Sequence, residues 1–239
     1  MARELSLRPR LQAVADMMKS SAIVADIGCD HGRLSVALLR MGKAKRVIAS
    51  DISEPSLEKA RLLAQKCRLS DKIEVCVSDG LAHLDKSGNV DTIIIAGMGG
   101  ELISSILAKG EAVAKSAKQI ILQPMGGIEE LRKFISQNGY EIFDEKLVLD
   151  AKRYYQIIGI RFCDAQSSET NGFLGDYWSL GTLLFEKKDA LLKQVLERRL
   201  TMLEKEIARA NRDNFTPEIL TKELDKVKEL LSTVNTWEE

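Results

Sequence analysis

The chain has 239 residues, of which 45% are hydrophobic and 29% charged, and its 35 basic residues balance 35 acidic ones. This length suits one large domain or one domain with a smaller appendage, and the zero net charge excludes a uniformly basic surface for nucleic acid. No apolar run has the length of a membrane span, and we expect no signal peptide. Four scattered cysteines, without a Cys-x-x-Cys pair or a histidine cluster, predict a reduced, cytoplasmic chain without a metal site.

In chain order, a first helix is predicted over residues 5–20, and apolar strands then alternate with helical stretches. The predicted strands cover residues 23–27, 46–50, 72–77, 91–96 and 119–122, and the predicted helices cover 33–41, 55–67, 101–108 and 128–138. Residues 141–149 and 154–162 are predicted to pair as antiparallel strands. This alternation is typical of a Rossmann-like α/β fold, with a mostly parallel sheet and helices on both faces.

The composition changes after this α/β domain, which is predicted to cover residues 1–163. Residues 164–175 are polar and contain glycine, so 164–185 is predicted to be a linker and packing segment. Residues 186–211 and 217–234 each keep one apolar stripe at helical spacing, with a turn at 214–217 between them. Residues 186–239 are therefore predicted to form an antiparallel helical hairpin that resembles a short coiled coil.

The most informative segment follows the first predicted strand and reads Asp26-Ile27-Gly28-Cys29-Asp30-His31-Gly32. A strand that leads into a glycine turn and a helix is where a doubly wound sheet binds nucleotide-like ligands. A dinucleotide loop presents bare backbone to a pyrophosphate, which the carboxylate of Asp30 would repel. The same carboxylate suits a ligand with positive charge, and S-adenosylmethionine carries both an ammonium and a sulfonium group.

Acidic residues also end the next two predicted strands. Asp51 is placed to accept hydrogen bonds from both hydroxyls of a ribose, and Asp79 to accept one from an adenine amino group. Ile52 and Leu81 are predicted to hold the purine between them. Each acid alone is equally well explained as a helix N-cap, and Asp26 as a brace for its turn. Their succession at neighbouring strand ends favours cofactor binding, and the acid inside the glycine loop argues against the alternative of NAD.

The fourth predicted strand runs into Gly97-Met98-Gly99-Gly100, and the fifth into Gln123-Pro124. The glycines make a backbone-rich wall where many base-modifying methyltransferases carry Asn/Asp-Pro-Pro-Tyr/Phe to grip an exocyclic amine. This difference favours attack by a ring nitrogen, which needs positioning more than chemical help. Gln123 adds an amide that is suited to reading a base edge. Core packing is the favoured role for Tyr154 and Tyr155, with stacking of one ring on a base as the alternative.

Two side chains of the glycine loop are candidates for direct chemistry. His31 has no identified partner, so packing beside the loop explains it better than base catalysis. Cys29 has no base nearby in the sequence pattern, which argues against covalent catalysis.

Three of these segments carry a family resemblance. The segments 26–31, 95–100 and 121–124 resemble the three signatures of the bacterial tRNA (adenine-22-N1)-methyltransferases of the TrmK type. The N-terminal Arg10-Leu11 with Ala13-Val14-Ala15, and the segment 154–158, are similar as well. The resemblance spans residues 5–162 in order, and the predicted helical tail fits it. One departure is Met125, because the family usually has Asn after Gln-Pro.

The resemblance implies a class I fold that binds S-adenosylmethionine (SAM) in residues 1–163 and methylates N1 of adenine 22, in the D-arm region of tRNA. It implies tRNA as partner, no metal, no membrane, and a monomer or weak homodimer in the cytoplasm. Asp30 is the candidate for a catalytic role. The implied cofactor-binding residues are Asp26, Gly28, Cys29, Asp30, His31, Asp51, Ile52, Asp79, Gly80, Ala96, Gly97 and Met98, and the implied tRNA-side residues are Arg10, Arg33, Gln123 and Pro124.

The expected mechanism begins with the target adenine leaving its stack, after which N1 attacks the methyl group in line. The product base is cationic at first, so the transfer needs no strong base. Asp30 either stabilises developing positive charge or only anchors the cofactor. Two alternatives remain open at this point: a SAM-dependent methyltransferase of a small molecule or protein, and a non-enzymatic SAM-binding interaction protein. The candidates for phosphate contacts are Arg8, Arg10, Arg33, Lys193, Arg198, Arg199, Arg209 and Arg212.

Overall fold

The computed structural model describes residues 6–84, 90–163, 177–212 and 218–238. These residues divide into two units, with the boundary inside the segment 164–176. Four predicted features lie at least partly outside the described residues: the start of the first helix at residue 5, the linker at 164–175, the turn at 214–217 and the start of the last helix at residue 217.

The first unit is built on one seven-stranded sheet with the order β3-β2-β1-β4-β5-β7-β6. The first five strands are parallel, and the last two join the sheet in antiparallel pairing, which confirms the predicted Rossmann-like architecture. The strands are β1 Ser21–Ile27, β2 Ala44–Asp51, β3 Ile73–Val77, β4 Thr92–Met98, β5 Gln119–Pro124, β6 Tyr140–Asp150 and β7 Arg153–Phe162.

The register of the parallel strands brings their carboxyl ends to one edge. Ile27 of β1 pairs with Ser50 of β2 on one side and with Ile95 of β4 on the other, and Asp51 pairs with Val77 of β3. The strand order reverses between β1 and β4, and ligands of open α/β sheets bind beside such a switch point. We call this side of the sheet the carboxyl edge.

Helices cover both faces of the sheet. They are α1 Pro9–Met17, α2 Arg33–Arg40, α3 Glu54–Lys66, α4 Gly100–Lys109, α5 Glu111–Ser116 and α6 Ile128–Gln137. The first helix is shorter than predicted, because the backbone is already extended at Met18. The six-residue α5 was not predicted, since so short a segment shows no periodicity. Ala13, Val14 and Ala15 of α1 are buried in a core cluster that includes Ile121 and Ile157.

Two strands extend two residues further than predicted at the carboxyl edge. β4 continues through Gly97 to Met98, and β5 continues to Pro124, which pairs with Met98 after an irregularity in the register. Sequence patterns favour ending a strand at glycine or proline, and here pairing between neighbours overrides that preference. Residues predicted to follow the strands therefore lie within them.

The second unit contains the predicted helical hairpin. Its helices are α7 Thr182–Glu186, α8 Leu192–Arg212 and α9 Glu218–Asn235, with a short 3-10 turn over Thr236–Glu238. α8 begins six residues later than predicted, because the backbone NH of Leu191 bonds the Asp189 carboxylate in a separate turn, 2.9 Å apart. Arg199 of α8 donates two hydrogen bonds to Glu223 of α9, at 2.8 and 2.7 Å. No helix of the described residues is long and apolar enough to span a membrane.

Candidate functional site

The glycine loop bends sharply over the end of β2. The backbone NH groups of Gly28 and Cys29 both donate to the Ser50 carbonyl, at 2.8 and 2.9 Å. Gly28 has a φ of +70°, and a Cβ at this position would overlap the methyl group of Met98. Glycine is therefore favoured here by the backbone conformation, whereas the Met98 methyl group stands at the end of a flexible side chain and can move aside.

Asp51 ties this loop to the helix that follows β2. One carboxylate oxygen accepts from the backbone NH of Asp30 at 3.1 Å, and the other accepts from the NH of Ser53 at 2.9 Å. A carboxylate oxygen has more than one acceptor site, so both oxygens retain capacity for a ligand. The half-buried Asp51 thus lies at the carboxyl edge in a fixed orientation.

Asp26 points into the protein. Its carboxyl group is 3% exposed and accepts a 2.6 Å hydrogen bond from the Ser35 hydroxyl of α2. Burial raises the pKa of Asp26 to about 6, and the Ser35 contacts lower it only in part. The structure therefore favours the role of a brace between β1 and α2 over direct contact with a ligand.

Asp30 is the exposed carboxylate of the loop. Its side chain is 73% exposed, its φ is +50°, and one oxygen lies 3.3 Å from Nε2 of His31. The same nitrogen lies 3.2 Å from Nζ of Lys59 in α3. Sequence reasoning missed Lys59, since an exposed lysine in a helix carries no signal of this contact. The Asp30 carboxylate therefore has the His31 imidazole as a polar neighbour, and the imidazole has the Lys59 ammonium as a second one.

The thiol of Cys29 is not suited to covalent chemistry. It is 7% exposed, and burial raises its pKa far above the ordinary value, with the carboxylates of Asp26 and Asp51 adding to the effect. The thiol therefore stays protonated at neutral pH, in agreement with the sequence argument against a nucleophile.

The predicted purine site keeps only one of its two predicted walls. Ile52 is 75% exposed after β2, whereas Leu81 is 2% exposed and packs against Gly110. Leu81 is therefore not available to cover a ligand, and that prediction is wrong. Val77, at the end of β3, is 55% exposed and supplies apolar surface that sequence reasoning missed. Asp79 is exposed just beyond it.

The ends of β4 and β5 lie against each other through their backbones. The Met125 NH donates to the Met98 carbonyl and the Gly100 NH donates to the Gly126 carbonyl, both at 2.8 Å. A Cβ on Gly100 would overlap the backbone of Gly127, so glycine is needed for this approach. The predicted glycine wall is thus a junction between two loops, with Gly97 exposed beside it.

Gln123 connects this junction to α1 and does not face solvent. It is fully buried, and its carbonyl oxygen accepts from the Gly97 NH at 3.1 Å and from the Arg10 guanidinium. Its NH2 group donates to the Pro124 carbonyl at 2.6 Å. Because these partners occupy the amide and Pro124 is also buried, the expectation that this pair reads a base edge is not supported by the structure.

The arginines predicted for the substrate side differ in their surroundings. Arg10 points toward the carboxyl edge, with its guanidinium carbon 5.6 Å from the centre of the Tyr155 ring. Arg33 is exposed and donates to the Ser6 carbonyl at 3.2 Å, whereas Arg8 pairs with Asp150 at 3.1 Å. Arg10 is therefore the member of this set that reaches the candidate site.

No group of three or more potential metal ligands occurs among the described residues. A cavity of about 390 Å³ lies at the opposite edge of the sheet, at the amino ends of β1, β4 and β5. Its lining includes Lys19, Ser21, Asp91, Lys118 and Gln119. The cavity is therefore separate from the glycine loop and its neighbouring strand ends.

Comparison with known proteins gives a consistent result. Residues 7–158 match a protein family described as a methyltransferase domain. The tRNA (adenine(22)-N(1))-methyltransferase of Bacillus subtilis is 31% identical over 188 residues, which are 79% of this chain and 79% of that protein. The solved structure of Streptococcus pneumoniae Sp1610 in complex with S-adenosyl-L-methionine has a TM-score of 0.81 and 26% identity, covering 95% of this chain and 100% of that one. The B. subtilis m1A22 tRNA methyltransferase TrmK has a TM-score of 0.77 and 25% identity, over 98% and 99% of the two chains.

Proposed function

This chain belongs to the tRNA (adenine(22)-N(1))-methyltransferase family, and we propose on that basis that it methylates N1 of adenine 22 in tRNA with SAM as methyl donor. The observation that carries the proposal is the convergence of Asp30, Asp51, Asp79 and the segment Gly97–Met98 at one edge of the sheet. These residues come from four different strand ends and form a site for a ligand with ammonium, ribose and adenine groups.

The residues at the carboxyl edge fit SAM. Asp51 is held by two backbone NH groups and retains acceptor capacity for the ribose hydroxyls. The exposed Ile52 offers an apolar face to the purine, and the exposed Asp79 offers an acceptor to its amino group. The exposed Asp30 carboxylate suits the ammonium group, and the bare backbone of Gly28 permits close approach of the ligand. The remaining proposed contacts come from Cys29, His31, Gly80, Ala96, Gly97 and Met98.

SAM supplies, when bound, a methyl group on a sulfonium, and the N1 lone pair of adenine displaces the sulfur as the new C–N bond forms. N1 carries no proton in neutral adenine, so the protein has to position the base but not to deprotonate it. We expect the hydrogen-bonded junction of β4 and β5 to supply a backbone wall at Gly97 and Met98 for this position. The main contribution of the chain is therefore orientation, with Asp30 favouring positive charge nearby.

The proposal extends to the setting of the reaction. The enzyme works on tRNA in the cytoplasm, as a monomer or weak homodimer. Arg33, exposed at the start of α2, is placed to contact tRNA phosphates close to the glycine loop. Arg198 and Arg209 of α8 are candidates for phosphate contacts of the second unit.

The test is transfer of radiolabelled methyl from SAM to unmodified tRNA transcripts, with the target adenine either present or changed to guanine. We expect label only in the transcript with adenine, and mapping of the product as N1-methyladenine. Label in neither transcript, together with measurable SAM binding, would favour a small-molecule or protein substrate, or a non-enzymatic role. Label in both transcripts would show methylation at a different position.

A further inference from the structure

Tyr155 lies on the α1 side of β7. Two residues further on, Ile157 is buried in the core cluster that contains the apolar face of α1, and alternate residues of a strand share a face. Gln156 points the other way and accepts a hydrogen bond from Arg132 of α6 at 2.8 Å. Tyr155 therefore projects toward α1 at the carboxyl edge, and it is half-buried.

The guanidinium of Arg10 contacts this ring and is held in place by a hydrogen bond to Gln123. Its carbon lies 5.6 Å from the ring centre, and one of its nitrogens donates to the buried amide oxygen of Gln123. That oxygen also accepts from the Gly97 NH, so Arg10 is coupled to the strand end that is proposed to lie beside the methyl group. A Cβ at Gly97 would lie only 3.2 Å from the same guanidinium nitrogen.

The half-buried planar groups of Arg10 and Tyr155 thus lie beside Gly97, at the strand end that the proposed function assigns to methyl transfer. Extruding a base from its stack has a free-energy cost, and proteins that bind unstacked bases offset it by stacking them on aromatic rings or guanidinium planes. We infer that Arg10 and Tyr155 form the platform for the extruded adenine, which stacks on the Arg10 guanidinium while the Tyr155 ring backs that guanidinium, and that Gln123 is the positioning residue that orients Arg10. This inference rests on the proposed function.

The platform also distinguishes substrate from product. Methylation at N1 leaves the base with a positive charge, which a guanidinium repels and neutral adenine does not carry. We therefore expect tRNA with N1-methyladenine at the target position to bind less tightly than unmodified tRNA. Replacing Arg10 by the planar but neutral glutamine should reduce this difference.

The first test measures single-turnover methyl transfer by the full chain at saturating SAM and tRNA, for Tyr155→Leu and Tyr155→Phe. Losing one base-stacking contact by substitution changes an equilibrium constant by roughly 5- to 150-fold. We therefore expect the single-turnover rate of Tyr155→Leu to fall by a factor in that range. Tyr155→Phe keeps the ring and should restore most of the rate. Arg153→Leu is the matched control, because this guanidinium also lies over the Tyr155 ring, at 6.0 Å, without touching Gln123. Its rate should stay within about twofold of wild type, a margin below the smallest expected stacking loss.

The second test compares dissociation constants for unmodified and N1-methylated tRNA in wild type and Arg10→Gln. SAM affinity and melting temperature are measured for every variant, so that loss of fold is recognised. Equal rates for Tyr155→Leu and Tyr155→Phe, or an unchanged ratio of dissociation constants in Arg10→Gln, would overturn the platform. Failure of wild type to label tRNA would instead overturn the proposed function.

Discussion

The substitution Asp26→Asn tests whether the buried carboxyl group of the glycine loop is a structural brace. The carboxyl is 3% exposed, and burial raises its pKa from 3.8 to about 6. The unfolded chain therefore ionises this group at a lower pH than the folded chain. Between these two pKa values the unfolded state binds fewer protons, so the free energy of unfolding falls as pH rises.

The size of the effect follows from the two pKa values. The full loss of stability above both values is about 3 kcal/mol, and about 2 kcal/mol of it occurs between pH 4.5 and 7.5. Asparagine does not titrate, so the variant lacks this contribution at every pH. Its amide oxygen can still accept the hydrogen bond from Ser35, and the change in shape is small. As the pH rises from 4.5 to 7.5, we therefore expect the free energy of unfolding of Asp26→Asn to increase by about 2 kcal/mol relative to that of wild type.

The assay is urea unfolding of both proteins at several pH values between 4.5 and 7.5. Asp91→Asn is the matched control, because Asp91 accepts from the NH groups of Ala22 and Ile23 and pairs with Lys118, which lower its pKa. Asp91 is ionised in both the folded and the unfolded state over this pH range. The free energies of unfolding of Asp91→Asn and wild type should therefore differ by a nearly constant amount. A constant difference for Asp26→Asn as well would refute the argument, since it would mean that burial does not raise the pKa of Asp26.

Three further substitutions test other contacts. Arg10→Ala should weaken tRNA binding in a filter-binding assay and leave SAM affinity unchanged, whereas equal loss of both would contradict its place on the substrate side. Gly28→Ala should weaken SAM binding measured by calorimetry, because a Cβ at a φ of +70° strains the backbone of the glycine loop, and unchanged SAM affinity would contradict the place of this loop in the cofactor site. Arg132→Met should destabilise the fold by about 3–5 kcal/mol in urea, because it leaves the Glu145 carboxylate buried without its ion pair. Adding Glu145→Gln should recover part of that loss, and no recovery would indicate that packing dominates.

The sequence was sufficient to predict that the candidate site residues share one edge of the sheet, but not how their side chains are oriented. The apolar runs that end in Asp26, Asp51 and Asp79 predicted parallel strands, and parallel strands bring their carboxyl ends to one edge. Which carboxylate faces the ligand depends on residues that are distant in sequence. Asp26 turns inward because Ser35 of α2 donates to it, and no spacing rule encodes that contact.

The predicted strand ends failed where local and tertiary preferences conflict. Glycine and proline normally end a strand, so Gly97, Gln123 and Pro124 were expected outside β4 and β5. Pairing across the sheet continues instead to Met98 and Pro124. Gln123 is consequently buried inside a strand. Its amide bonds other groups of the protein, although it was expected to bond the edge of a substrate base.

Met125, where the resemblance leads us to expect asparagine, contacts the candidate site through both its backbone and its side chain. Its backbone NH donates to the Met98 carbonyl at 2.8 Å, and this bond is independent of the side chain. The loop geometry is therefore available to methionine as well as to asparagine. The side chain differs more, since its sulfur lies 3.7 Å from the Arg10 guanidinium and a thioether is a weak acceptor. In this chain the orientation of Arg10 consequently depends mainly on the buried amide of Gln123, which also accepts a hydrogen bond from the backbone NH of Gly97.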